Sequence, residues 1–132
     1  MPVLNDTMFS RPHVQATATD LARLRSLVPM AGTDAPGAGL FREEFARLKI
    51  VADDLAERFV RLGSCVRYRD LSTKRERDVR VVRPEDADTG GNWVSVLSPV
   101  GAALIGLSAG AIFRWADPDG RLRVIKVLKV AA

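Results

Sequence analysis

The sequence predicts an α+β fold: an N-terminal antiparallel two-helix hairpin followed by a β-sheet domain that carries one short helix. Two changes of pattern support this prediction. Apolar residues recur at steps of three and four before residue 60, which is typical of helices, and they alternate with polar residues after residue 63, which is typical of strands. With 132 residues and 47% hydrophobic content, the chain is large enough to bury a core.

The first helix is predicted over about residues 18–28. Thr17 and Asp20 have the spacing of a capping box, in which a hydroxyl at the helix start is followed three residues later by an acid. Leu21, Leu24 and Val28 then follow at helical spacing. Residues 29–39 contain two prolines and three glycines, so we expect a loop there.

A longer second helix of about 20 residues, roughly 30 Å, is predicted after this loop. Its apolar residues recur at steps of four and three: Phe41, Phe45, Leu48, Ala52, Leu55 and Phe59. This pattern is typical of an antiparallel helix pair or a short coiled coil. The first helix is the simplest partner, and the second helix would extend beyond it.

A β-hairpin with an arginine-rich face is predicted after Gly63. In 65–70 and 77–82, apolar and charged residues alternate around a polar turn. The candidate basic face consists of Arg67, Arg69, Arg75, Arg77 and Arg80. Such a face is suited to an acidic partner or to nucleic acid.

The clearest local unit is a short strand at 93–97 that runs into a short helix starting at Ser98 and Pro99. Serine caps helix N-termini and proline suits the first helical position, while Gly106 stands where a helix end favours a left-handed residue. A turn at 117–120 precedes a closing strand. We therefore divide the chain into a flexible arm (1–16), a helical hairpin (17–62) and a β domain (63–132).

Composition excludes several kinds of chemistry. Cys65 and His13 are the only residues of their types, so an internal disulfide, a thiolate metal cluster and a histidine-dependent triad are excluded. Three acids in the 83–91 loop match no calcium-binding spacing and indicate a solvated turn. No apolar run has the length of a signal peptide or membrane span, so we expect a cytoplasmic protein that is not associated with a membrane. We also expect no cofactor.

The charge is unevenly distributed along the chain. The formal net charge is +4, yet residues 1–60 hold seven Lys/Arg against eight Asp/Glu. Residues 61–132 hold thirteen against eight, which places the basic excess in the second half. This distribution allows an acidic or nucleic-acid partner for that half, and a soluble domain with arginine-rich strands explains it equally well.

The stretch 96–106, together with Gly110, resembles the C-terminal signature of the Gre-type transcription elongation factors, a strand followed by S-P-x-G-x-A-L-x-G. Residues 66–71 and 84–88 are similar to the short-hairpin branch of that family, the regulators of nucleoside diphosphate kinase. The resemblance implies an FKBP-like β domain and binding to RNA polymerase at its secondary channel. By position, the docking residues would be Leu97, Ser98, Pro99 and Gly101.

The resemblance also defines what the hairpin tip would need for transcript cleavage. Cleavage factors of this family use a pair of acids there to help hold a second Mg²⁺, because one carboxylate holds Mg²⁺ poorly. Residues 30–37 contain one acid, Asp34, which we interpret as a turn residue. We therefore expect a non-enzymatic regulator that does not stimulate cleavage.

Two alternatives remain open at this point. The arginine-rich hairpin could bind nucleic acid, with little stacking because Tyr68 faces the other way. The FKBP-like fold also suggests a prolyl isomerase, although the helix pair already uses three of the five Phe. We favour a monomer, while the unpaired end of the second helix leaves room for a partner chain.

Overall fold

The computed structural model describes residues 11–29, 35–88, 90–117 and 119–131, apart from the side chains of residues 56 and 57. Its helices are α1 (Ala18–Arg25), α2 (Ala38–Arg47) and α3 (Pro99–Leu104), with 3₁₀ turns at Asp53–Arg58 and Pro84–Asp86. Its strands are β1 (Gln15–Ala16), β2 (Lys49–Ile50), β3 (Cys65–Asp70), β4 (Glu76–Val82), β5 (Trp93–Ser95), β6 (Ile112–Ala116) and β7 (Leu122–Ala131). The α+β fold class is confirmed.

The main sheet of the described residues has five strands in the order β5-β4-β3-β7-β6. Strands β4 and β5 are parallel, and the other neighbours are antiparallel. One face is buried, because Val66, Tyr68, Val79, Phe113 and Ile125 all point into the core. The alternation predicted for the hairpin is confirmed, since Arg67 and Arg69 lie on the opposite, exposed face.

Helix α3 packs on the buried side of the sheet, and its ends are as predicted. The hydroxyl of Ser98 accepts a hydrogen bond of 3.1 Å from the Gly101 amide, and Pro99 occupies the first turn. The helix ends at Leu104, and Gly106 takes a φ of +80°. All residues from Gly101 to Leu107 are buried, so this unit forms the centre of the core.

The second helix is shorter than predicted, and the prediction of a coiled coil is wrong. Helix α2 ends at Arg47, and Leu48 is already extended with a ψ of 129°. The following residues instead form a parallel ladder with the N-terminal segment: the Lys49 amide donates to the Val14 carbonyl at 3.0 Å. Of the apolar residues predicted to continue the helix, Leu48 packs against the core and Phe59 is buried, whereas Ala52 is exposed.

The principal helical neighbour of α2 in the described part of the chain is α3, rather than α1 as the sequence predicted. The apolar periodicity was correct for Phe41 and Phe45, whose ring centroids are 6.0 Å apart. Phe41 is fully buried in the same cluster as the sheet residues. The apolar face of α2 thus covers the β domain instead of pairing with a second long helix.

The N-terminal segment from residue 11 onward is docked, which corrects the expectation of a loose arm there. Val14 is buried, and the Gln15 amide donates to the Gly106 carbonyl at 3.0 Å. The side chain of Arg11 donates to the carboxylate of Glu44 at 2.7 Å and lies over the Phe113 ring at 5.7 Å. Residues 1–10 lie outside the described part of the chain.

The first helix begins as predicted and ends earlier. The Thr17 hydroxyl accepts a hydrogen bond of 3.1 Å from the Asp20 amide, so this half of the capping box is present. The Asp20 carboxylate is turned instead to Arg61, which donates to it through Nε and Nη2 at 2.6 and 3.0 Å. The helix ends at Arg25, and turn structure continues to Pro29. Among the described residues, no helix combines the length and apolarity needed to cross a membrane.

Candidate functional site

The Ser98–Pro99 corner, as we call these two residues, is held by a compact set of hydrogen bonds. The Ser98 hydroxyl donates to the Ser95 carbonyl at 2.6 Å while it accepts from the Gly101 amide. The Ser95 hydroxyl in turn accepts from the Leu97 amide at 2.9 Å. Both Ser98 and Pro99 are half-buried, so the corner is rigid and still reachable from solvent.

The other two candidate docking residues lie beneath this corner. The side chain of Leu97 belongs to the hydrophobic core, and Leu97 is only 5% exposed. Gly101 is buried, and a Cβ at that position would overlap the Ser95 carbonyl. Of the four residues, Ser98 and Pro99 therefore form the surface, while Leu97 and Gly101 hold it in position.

The start of helix α2 lies directly against the corner. The Gly37 amide donates to the Leu97 carbonyl at 2.8 Å, and a Cβ on Gly37 would overlap the backbone of Ser98. Helix α2 is thus attached to the corner through a backbone contact that only glycine permits.

Two open grooves meet at Pro99. One, of about 290 Å³, lies between the start of α2 and strand β6; it is lined by Arg11, Pro36, Gly37, Gly39, Leu40, Glu43, Pro99, Trp115 and Ala116. The other, of about 460 Å³, lies between the corner and the end of the sheet; it is lined by Arg77, Gly91, Val94, Ser98, Pro99, Val100, Asp117, Asp119 and Arg123. Pro99 is therefore flanked by concave surface on both sides.

The larger groove has paired charges at its rim. Arg123 donates to Asp117 at 3.2 Å and lies over the Trp115 ring at 5.3 Å, and the Trp115 indole donates to the same carboxylate at 3.0 Å. Arg77 donates to the Gly91 carbonyl at 3.3 Å. These partners fix the arginines, so the groove presents an ordered, mixed-charge rim around apolar side chains.

Tyr68 lies on the core side of the sheet opposite Arg77. Burial raises the pKa of its hydroxyl above the ordinary value of 10.0, and the positive charges of Arg77 and Arg123 oppose that rise. Because the net direction is upward, the hydroxyl is neutral at physiological pH. Tyr68 is therefore a neutral residue of the core.

The five arginines of the predicted basic face do not lie on one surface. The register pairs Arg77 with Tyr68, so Arg77 points toward the buried side and the groove. Arg67 is held by Asp78 through two hydrogen bonds of 2.9 and 3.0 Å, and this partner lowers the pKa of the Asp78 carboxyl. Arg75 lies at the hairpin turn. The prediction of a single five-arginine face is wrong because Arg77 has the opposite side-chain direction.

Three residues that sequence reasoning missed share the exposed face with Arg67, Arg69 and Arg80. Strand β7 places Lys129 opposite Arg67 and Lys126 opposite Arg69. Strand β5 places Trp93 opposite Arg80, whose guanidinium lies 5.4 Å from the indole ring. Their alternation was visible in the sequence, but the neighbours of each strand were not.

The described residues include no cluster of three or more His, Cys, Asp or Glu side chains suited to a metal ion. In the acidic loop, the Asp88 carboxylate accepts from the backbone amides of Gly91 and Trp93 at 3.1 and 3.3 Å, which is the behaviour of a turn residue. Asp34, the candidate tip residue, lies outside the described residues.

Comparison with known proteins agrees with this architecture. The Regulator of nucleoside diphosphate kinase of Escherichia coli (strain K12) is 29% identical over 124 residues, which cover 92% of this chain and 91% of that protein. Transcription elongation factor GreA of Thermosipho africanus (strain TCF52B) is 30% identical over 70 residues, or 53% of this chain and 45% of that protein.

A solved structure shares the fold as well. A prokaryotic transcription elongation factor GreA/GreB from Nitrosomonas europaea superposes with a TM-score of 0.68 at 31% identity, covering 92% of this chain and 100% of that one. Residues 55–132 match the family described as transcription elongation factor, GreA/GreB, C-term. The chain therefore belongs to the GreA/GreB C-terminal family and is a Gre-type factor similar to the regulator of nucleoside diphosphate kinase.

Proposed function

We propose that this protein is a non-enzymatic transcription regulator that binds RNA polymerase at the secondary channel and does not stimulate transcript cleavage. The observation that carries the proposal is family membership over residues 55–132, which include the Ser98–Pro99 corner. The name of the Escherichia coli relative adds a narrower proposal, that the regulatory effect extends to nucleoside diphosphate kinase.

The corner has the properties of a docking edge. Its backbone is fixed by the hydrogen bonds between Ser95, Ser98 and Gly101, so little ordering entropy is lost when a partner binds. Pro99 projects between two grooves, which offers a partner concave surface on either side of one rigid residue. These features support Ser98 and Pro99 as contacts, with Leu97 and Gly101 as the residues that position them.

The N-terminal helices support the absence of cleavage. Helices α1 and α2 have 8 and 10 residues, about 12 and 15 Å in length. Because α2 ends at Arg47 and lies on the β domain, the helical part offers less reach than a long coiled coil would. The sequence between residues 30 and 37 also contains one acid, Asp34, where a second Mg²⁺ ion needs several oxygen ligands.

Co-purification with core RNA polymerase tests the docking part of the proposal. The wild-type protein is expected to be retained by immobilised core enzyme, and Pro99→Ala is expected to be retained less because the projecting ring is lost. Pro84→Ala is the matched control, since Pro84 is also half-buried and also begins a short helix, on a different surface. Retention of neither the wild type nor the control would contradict polymerase binding; equal retention of all three proteins would contradict the role of Pro99.

A further inference from the structure

The exposed face of the five-stranded sheet carries an excess of positive charge. Among the described residues of β3, β4, β6 and β7, six cationic side chains share this face and two carboxylates, Glu76 and Asp78, accompany them. The cations are Arg67, Arg69, Arg80, Arg114, Lys126 and Lys129. We refer to these residues, together with Trp93 and Ile112, as the basic outer face.

The register brings like charges directly opposite each other between β3 and β7. Arg67 faces Lys129, and Arg69 faces Lys126. Like charges at directly opposed positions destabilise a sheet. On the β4 side, Asp78 and Glu76 lie opposite Arg67 and Arg69 and offset part of this repulsion. The four cations of these pairs outnumber the two carboxylates, so an anionic partner on this face would relieve the remaining repulsion.

The charges at the centre of the face are available to such a partner. Within the described part of the chain, Arg69, Lys126 and Lys129 form no ion pair, and all three are exposed. Alternate residues along a strand are about 6.8 Å apart and neighbouring strands about 4.8 Å apart, so the cations form rows. Rows of cations are complementary to a linear polyanion with regularly spaced charges.

Exposed apolar side chains lie at both margins of the charged rows. Trp93 on β5 is 45% exposed, and Ile112 on β6 is 48% exposed. The Trp93 ring is oriented by the Arg80 guanidinium, whose Nη1 also donates to the Gly63 carbonyl at 2.9 Å. A positioned, half-exposed indole beside cationic rows is the arrangement on which unpaired bases stack.

We propose that the basic outer face binds a single strand of nucleic acid, with its phosphates on Arg69, Lys126 and Lys129 and a base on Trp93. A single strand fits better than a duplex because a broad sheet face has no element that enters a groove, and a stacked base must be unpaired. The surface is separate from the Ser98–Pro99 corner, so this binding goes beyond docking to polymerase. An acidic protein surface is the competing partner, which the experiment below distinguishes.

Fluorescence anisotropy with the full chain alone tests this inference without polymerase. Labelled oligouridylate and oligothymidylate of about 20 nucleotides are titrated at about 50 mM salt and above. Both strands are expected to bind with similar affinity, and log affinity should fall with log salt at a slope of about −2, from ~0.7 for each of three neutralised phosphates. Tighter binding to a duplex of the same length, or no binding at the lowest salt, overturns the proposal.

Matched variants locate the site. Arg69→Ala/Lys126→Ala should lower affinity at least tenfold and reduce the salt slope by about 1.4. Arg23→Ala/Arg25→Ala removes the same charge from α1 and should leave the affinity and the salt slope unchanged. Trp93→Ala should weaken binding while preserving the salt slope, and Trp93→Phe should restore part of the affinity. If the α1 variant loses as much affinity as Arg69→Ala/Lys126→Ala, the proposed site is wrong. If polyglutamate displaces the labelled strand as well as unlabelled oligouridylate does, the partner is not specifically a nucleic acid and the proposal is overturned.

Discussion

The amide of Gly37 donates a hydrogen bond of 2.8 Å to the carbonyl of Leu97, which attaches the first residue before helix α2 to the residue before Ser98. The contact leaves no room for a side chain, since a Cβ on Gly37 would overlap the Ser98 backbone. Helix α2 and the candidate docking corner therefore form one packed unit.

Replacing this glycine should disturb that unit. Gly37→Ala forces the start of α2 away from Ser98, and we expect a loss of about 1–3 kcal/mol in the free energy of unfolding, as for other overpacked sites. Urea denaturation followed by circular dichroism measures it. Gly39→Ala is the control: nothing lies within 4 Å of a Cβ there, so improved helix propensity should leave stability equal or higher. Equal stability of the Gly37 variant would contradict the contact.

The Ser98 cap should contribute measurably to stability. Ser98→Ala removes the acceptor for the Gly101 amide, and the expected loss is about 1 kcal/mol. Ser98→Thr retains a hydroxyl that can accept from the Gly101 amide and donate to the Ser95 carbonyl, so it should recover most of the loss in chemical denaturation. If the alanine and threonine variants are equally destabilised, the hydroxyl does not stabilise the protein through these bonds.

The two bidentate arginine–aspartate pairs should differ because only one is buried. Asp20 is buried and held by Arg61, so Asp20→Ala should cost about 1–3 kcal/mol by leaving a charged donor without that partner. Asp78 and Arg67 have the same paired geometry on the exposed face, where solvent screens the charges. Asp78→Ala should therefore leave the denaturation midpoint unchanged, and equal effects would contradict the role of burial.

Glu44 should make stability depend on pH. Burial raises the pKa of its carboxyl above the ordinary value of 4.5, although Arg47 and Arg11 both oppose the rise. The folded state then binds the proton more tightly than the unfolded state, so this contribution to stability is present at low pH and is lost as pH rises above about 4.5. Denaturation across pH 4–7 measures this decrease in the free energy of unfolding. The decrease should be smaller in Glu44→Gln and should remain in Glu43→Gln, which changes the more exposed neighbour.

The features that the sequence predicts correctly have causes that lie within a few neighbouring residues. The Thr17 and Ser98 caps, the left-handed Gly106 and the alternation of β3 all follow from short-range sterics and hydrogen bonding. The same holds for the reversal between β6 and β7, where the Gly120 amide donates to the Asp117 carbonyl at 2.8 Å. The fold class could therefore be predicted from such signals.

The errors arose where distant segments decided the outcome. The sequence keeps its helical periodicity after Arg47, but Lys49 and Ile50 pair with Gln15 and Ala16 instead. No pattern within residues 41–59 indicates that this distant segment competes with the helix. The prediction of a single five-arginine face failed for the same reason. Which arginines share a surface depends on register, and β7, which is distant in sequence, supplies Lys126 and Lys129.

A transcription assay on stalled elongation complexes tests the central proposal most directly. The protein is added alone and, in a second series, at increasing concentration together with a cleavage-competent Gre factor. We expect no shortening of the transcript by the protein alone and a concentration-dependent loss of cleavage by the Gre factor, because the proposal places both proteins at the same channel. Shortened transcripts with the protein alone, or cleavage by the Gre factor that never changes, would contradict it.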